Sequence, residues 1–201
     1  VMKVIVAFVL FVFCSFAFSH EVEEEFFEHD QKQFELLKKE TPSVENTPNI
    51  FADWQKILAH TPALKSAKLY VSPDMELGRS FSNNSIVVTP ELEKFPSAYR
   101  FFILLHEAGH LVKRHDDALV KLFIRLDAKN NKNVEFSQVT VVTHVLEFEA
   151  DAYAFQRMYD FGYNVSEVWP LFEELGRSVP GDTISHPSPQ RRIEAMKSIN
   201  F

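Results

Sequence analysis

The chain has 201 residues, with 21 Lys and Arg against 28 Asp and Glu for a net charge of −7, 46% hydrophobic residues, 20 Phe and one Cys. That length and apolar content suffice for one globular domain with a sizeable core plus extensions. The acidic balance and the lack of a basic cluster argue against nucleic acid as a partner, and one cysteine provides no disulfide framework.

Residues 1–19 read as a cleavable export signal outside the fold. Lys3 is the only charge before Glu21, Val4 to Phe18 is almost unbroken apolar sequence, and Ala17-Phe18-Ser19 has small residues where a signal peptidase needs them. The run falls short of the ~20 residues a membrane helix requires, so an anchor is the weaker alternative. Bulky Phe13 before Cys14 argues against a lipoprotein site. Cleavage after Ser19 would leave a cysteine-free acidic domain in the periplasm or outside the cell.

Residues 20–62 form a helical N-terminal segment by pattern. Glu21 to Lys39 is an amphipathic helix with Phe26, Phe27, Phe34 and Leu37 on one stripe, acidic residues early and Lys38-Lys39 late, as the helix dipole prefers. Thr41-Pro42 to Thr47-Pro48 is a linker by composition. Ile50 to Ala59 is a second helix, burying Phe51, Trp54, Ile57 and Leu58. No catalytic chemistry is legible here; the segment would pack on the rest of the chain or engage an envelope protein.

Residues 63–201 carry the motifs. Lys68 to Val71 and Ser85 to Thr89 are β-rich and bounded by turn residues, which predicts two short strands. They form either a plain small sheet or one whose edge accepts an extended peptide by main-chain hydrogen bonds. Phe95-Pro96-Ser97 then opens a helix that runs through Phe101-Phe102-Ile103-Leu104-Leu105-His106-Glu107-Ala108-Gly109-His110. Histidines four apart share one face and can reach one ion, and neutral imidazole is a zinc ligand. Glu107 adjoins the first histidine, where it could take a proton from water. The plainer alternative is a core helix with surface histidines, and a third ligand decides between them.

A further helix, Ala118 to Asp127, follows His115, which lies five residues past His110 and so turns off the ligand face as a structural histidine. Ala128 to Asn133 is a polar loop. A long helix from Phe136 to Phe161, closed by Gly162, carries Glu147 and Asp151 on one face and Glu149 on another. Glu147 can be the third ligand and Asp151 a nearby acid, while Ala150, Ala152 and Ala154 allow a close approach to the His-Glu helix. Two histidines and one glutamate make a His₂Glu catalytic zinc site.

His-Glu-Ala-Gly-His, then Glu-Phe-Glu-Ala-Asp-Ala, Phe-Gly-Tyr-Asn, and Ser-His-Pro with Arg192-Ile193 together resemble the HtpX-like zinc metallopeptidases. That gluzincin family includes the CAAX prenyl endopeptidases and the periplasmic BepA-type proteases, and the soluble exported branch is the nearer likeness. The resemblance spans about Leu69 to Ile193. It implies a mainly α (α+β) fold, a zincin-type helical metallopeptidase domain with a small β-sheet. It also implies one zinc ion on His106, His110 and Glu147, with Glu107 as general base and Asp151 as proton donor or orienting residue. Asp151 or Arg192 would steady the oxyanion of a protein or peptide substrate. Many relatives carry Ser-Arg where this chain has Thr143-His144, and the metzincin extension is absent, since Lys113 and Asp116 occupy its positions.

His186, in Ser185-His186-Pro187 before a final helix, is either structural or, as the BepA-type likeness implies, a removable fourth ligand that keeps the enzyme latent. The reaction class expected is endoproteolysis, with envelope quality control as a setting. The alternatives are a metal-bearing chaperone or adaptor that rarely cuts, and a secreted protease acting on external proteins.

Overall fold

A computed structural model describes residues 19–38, 46–127 and 136–199. The expected export signal, the start of the linker and the polar loop at 128–133 lie outside these residues. The described elements are α1 (Ser19–Lys38), α2 (Pro48–His60), β1 (Lys68–Val71), β2 (Gly78–Phe81), β3 (Ser85–Val88), α3 (Ser97–Lys113), α4 (His115–Asp127), α5 (Phe136–Asp160), α6 (Trp169–Ser178) and α7 (Pro189–Lys197), with short 3₁₀ turns between some of them. The fold is mainly α with a small sheet, as the sequence suggested. Among the described residues no helix is long and apolar enough to cross a membrane.

α3 is the central element. Every residue from Phe101 to Gly109 is buried, so the helix has no solvent face over that span and needs neighbours all round. α5 supplies the most extensive contact. Its closeness depends on Gly109, where a Cβ would come 3.2 Å from both the Ala150 Cα and the Tyr153 Cδ1. Phe102 of α3 packs on Phe155 of α5 and Phe172 of α6, with centroids 5.1 and 5.2 Å apart.

The sheet has order β1-β3-β2, with β1 and β3 parallel and β2 antiparallel to β3. The strand β2 was not anticipated: Gly-Arg-Ser-Phe lacks the β-branched run that marks β3. All four residues of β3 are buried, because the sheet is covered on both faces. Ile86 and Val88 join the main core with Leu69, Val71 and α3. Val87 faces the other way, with Phe81 and Phe34 of α1. The β2–β3 connection closes with Asn84 at φ 62, a left-handed position that Asn tolerates.

α1 braces the outer face of the sheet. Buried Asp30 accepts from Arg79 at 2.8 Å and from the Ser82 N–H and hydroxyl at 2.8 and 2.7 Å. α2 contributes Ile50, Trp54 and Ile57 to the main core, and the Glu93 carboxylate accepts from the N–H groups of Asn49 and Ile50 at its first turn. Both N-terminal helices therefore pack against the motif-bearing part of the chain.

Candidate metal centre

His106 and His110 lie one turn apart on α3, and Glu147 faces them from α5. One ligand atom from each lies within 4.8 Å of the others. The His110 Nε2 is 3.3 Å from the His106 Nε2 and 3.3 Å from the Glu147 Oε1, and the His106 Nε2 is 3.4 Å from the Glu147 Oε2. Two imidazole nitrogens and a carboxylate thus converge on one point, in a region where all three side chains are largely buried.

Three observations fit a cation at that point. The Glu147 Oε2 is buried with no hydrogen-bond partner among the described residues, costly for a carboxylate oxygen without a counter-ion. Burial opposes a charge on His106, but Glu147 and Asp151 outweigh it and raise the imidazole to about 10. Burial likewise opposes ionisation of Glu147, yet His186 and His106 hold its carboxyl well below the ordinary range. The field at the convergence point therefore favours positive charge, and the donor set suits zinc among other divalent ions.

The outer nitrogens of both histidines are occupied. The His106 Nδ1 is 2.9 Å from the Asp151 Oδ1, so a proton on Nδ1 leaves the Nε2 lone pair facing the convergence point. Asp151 is 0% exposed and held from behind by Arg192, whose Nε and Nη2 donate to its two oxygens at 2.7 and 2.6 Å. Burial disfavours the Asp151 carboxylate, but Arg192 lowers its pKa below the usual value. Arg192 in turn is stabilised as a cation by Asp151 despite its burial. Its Nη1 lies 3.9 Å from the Glu147 Oε2, so this guanidinium backs the ligands and is committed to Asp151.

Glu107 is buried beside the edge strand. Gly78 of β2 faces it so closely that a Cβ there would lie 3.3 Å from the Glu107 Oε1. The strand β2 pairs with β3 alone among the described strands, which leaves its other edge without a strand partner there.

His186 lies on the loop before α7. Its Nε2 is 3.6 Å from the Glu147 Oε2, its Nδ1 bonds the Ser185 hydroxyl at 2.8 Å, and its side chain is 55% exposed. It therefore stands at the mouth of the site, outside the three-residue group. Thr143 and His144, one turn before Glu147, hold this loop by its main chain. The Thr143 hydroxyl donates to the Ile184 carbonyl at 2.6 Å, and the His144 Nε2 is 2.8 Å from the Thr183 carbonyl. Asp182 accepts from Arg191 and, at 2.7 Å, from the Ser188 N–H.

The sequence around the site matches a known family. The model of peptidase family M48 covers residues 76–200, more than half of the chain. The chain belongs to peptidase family M48. M48 peptidases are metal-dependent, and the His106, His110 and Glu147 group of this M48 chain is compact enough to hold the metal. No curated protein and no solved structure gives a significant match.

Two residues of the surroundings escaped sequence reasoning. His115 lies off the ligand face, as expected, but its contact was not foreseen: its Nδ1 is 2.9 Å from the outer nitrogen, Nδ1, of His110. Burial, and then His110, lower its pKa to about 4. The fold turns it back because Arg114 adopts φ 55, ψ 51 and breaks α3 from α4. The second is Gly78, whose role depends on a strand that composition did not mark.

Proposed function

We propose that the chain is an exported zinc endopeptidase of the soluble HtpX- and BepA-like branch, cutting proteins or peptides in the cell envelope. His106, His110 and Glu147 hold the zinc, and Glu107 acts as the general base. The observation that carries this reading is the convergence of three ligand atoms around an unpartnered Glu147 oxygen, with Glu107 one residue along from the first ligand. A bound zinc would supply the Lewis acidity that activates water and polarises the scissile carbonyl.

The residues of the chain do the rest. Glu107 takes the proton of the attacking water and delivers it to the leaving amine. Asp151, fixed by Arg192, holds the proton on the His106 Nδ1 and keeps its ring in place. The open edge of β2 would bind an extended substrate by main-chain hydrogen bonds, with the scissile carbonyl near Glu107. His186 would leave the mouth of the site as substrate enters. Export is supported by the apolar stretch before Ser19.

The test compares the parent chain with Glu107→Gln by metal analysis and by cleavage of casein. The variant should keep its zinc and its melting temperature and lose proteolysis by several orders of magnitude, since only the proton relay is removed. Activity within about tenfold of the parent would overturn the role of Glu107. A parent that holds zinc but cuts no protein would favour an adaptor.

A further inference from the structure

The two histidines of the metal group are backed by different means. Behind His106 stands a carboxylate in direct contact, at 2.9 Å. Behind His110 stands another imidazole: the His115 Nδ1 is 2.9 Å from the His110 Nδ1, with the rings edge-on at 85°. The far nitrogen of His115, Nε2, is 3.3 Å from the Glu149 Oε2. The His115 side chain is 4% exposed and that of Glu149 52%.

One arrangement of protons satisfies every contact. The His110 Nε2 faces His106 and Glu147, so it must present a lone pair there to bind a cation, and the ring proton sits on Nδ1. That N–H needs an acceptor, and the His115 Nδ1 is the atom in place. His115 then carries its own proton on Nε2, which donates to the Glu149 carboxylate. With the His110 proton on Nδ1, a proton on the His115 Nδ1 would set two donors against each other across the 2.9 Å contact, and the reverse pairing would put the His110 proton on Nε2, where the lone pair is needed.

We propose that His115, oriented by Glu149, is a positioning residue that fixes the tautomer and ring plane of His110 for metal binding. The inference rests on reading His106, His110 and Glu147 as the metal group. It gives Glu149, the carboxylate on the far side of α5, a task distinct from that of Glu147. It also gives a purpose to the left-handed turn at Arg114: an unbroken helix would carry residue 115 around the axis, away from the outer nitrogen of His110.

A buried histidine that only fills space would be replaced without loss by a ring of similar size. The deciding measurement is therefore metal affinity, read by titrating Zn²⁺ against a chromophoric chelator. It is made on the full chain, His115→Phe, His115→Asn, Glu149→Ala and Glu147→Ala. His115→Phe keeps the ring and removes the acceptor, and affinity should fall by about 10–100-fold. His115→Asn retains an acceptor near the Nδ1 position and should recover most of the loss. Glu149→Ala, at a half-exposed position that does not threaten folding, should weaken binding measurably but far less than Glu147→Ala. If His115→Phe fails to fold, the Asn and Glu149 variants decide. Parent-like affinity in His115→Phe and Glu149→Ala, with binding lost in Glu147→Ala, overturns this inference and leaves the metal group standing. A parent that binds no Zn²⁺ overturns both.

Discussion

Gly78 is the residue nearest the proposed base for which the absence of a side chain matters most. A Cβ there would approach the Glu107 Cγ to 3.2 Å, tighter than an ordinary contact, and the neighbouring Ile103 methyl at 3.4 Å limits escape. The carboxylate end of Glu107 would yield by a few tenths of an ångström. Gly78→Ala should therefore lower kcat by about tenfold through misplacement of the base. Zn²⁺ affinity should stay unchanged, because Glu107 is not one of the three converging groups. Unchanged kcat, or a loss of metal, would show that Gly78 acts otherwise. At this scale the sequence was legible where helical spacing applies: His106, His110, Glu147 and Asp151 all follow from residues four apart. It kept His115 off the ligand face but missed its contact with His110, because counting around an ideal helix cannot register a non-glycine residue at positive φ. Arg114 carries no compositional sign of its φ of 55°.

The metal group is a property of two elements in contact, α3 and α5, and their separation is set by Gly109 against Ala150. Adding a Cβ at Gly109 would meet backbone, the Ala150 Cα at 3.2 Å and its carbonyl oxygen at 3.3 Å, which cannot swing aside as a side chain can. Gly109→Ala should cost about 1–3 kcal/mol of stability, the usual range for overpacking. It should also weaken Zn²⁺ binding, since Glu147 would be pushed from the histidines. Thermal melting and metal titration on the same variant check both; parent-like affinity would mean that the two helices can adjust independently. The small residues Ala150 and Ala154 announced this approach in the sequence. The edge strand β2 did not announce itself, because Gly78, Arg79 and Ser80 are poor strand formers held there by tertiary contacts, Asp30 on Arg79 among them.

For the whole molecule, proton and metal compete for the same negative field. With Glu147 and Asp151 raising His106 to about 10, its imidazole keeps a proton at neutral pH that an arriving cation must displace. The sign follows directly. Metal affinity should increase as pH rises toward 10, by roughly tenfold per unit, with about one proton released per ion from this group. Calorimetric titration in buffers of different ionisation enthalpy measures that release; affinity independent of pH would contradict it. Removal of the ion with a chelator should lower the melting temperature, since binding to the folded state alone stabilises it. The overall architecture was legible as helices with a small sheet. The link from Arg192 to Asp151 across 41 residues belongs to packing that local pattern does not encode. That link also bears on when activity can begin during synthesis. The buried carboxylate behind His106 has its counter-charge on α7, which leaves the ribosome 41 residues later. Until that helix docks, Asp151 lacks its guanidinium partner, and His106 is backed by a carboxylate that nothing holds from behind. A nascent chain stalled before residue 192 would thus carry the complete His-Glu motif without the guanidinium that backs it, so the order of translation itself delays the finished site.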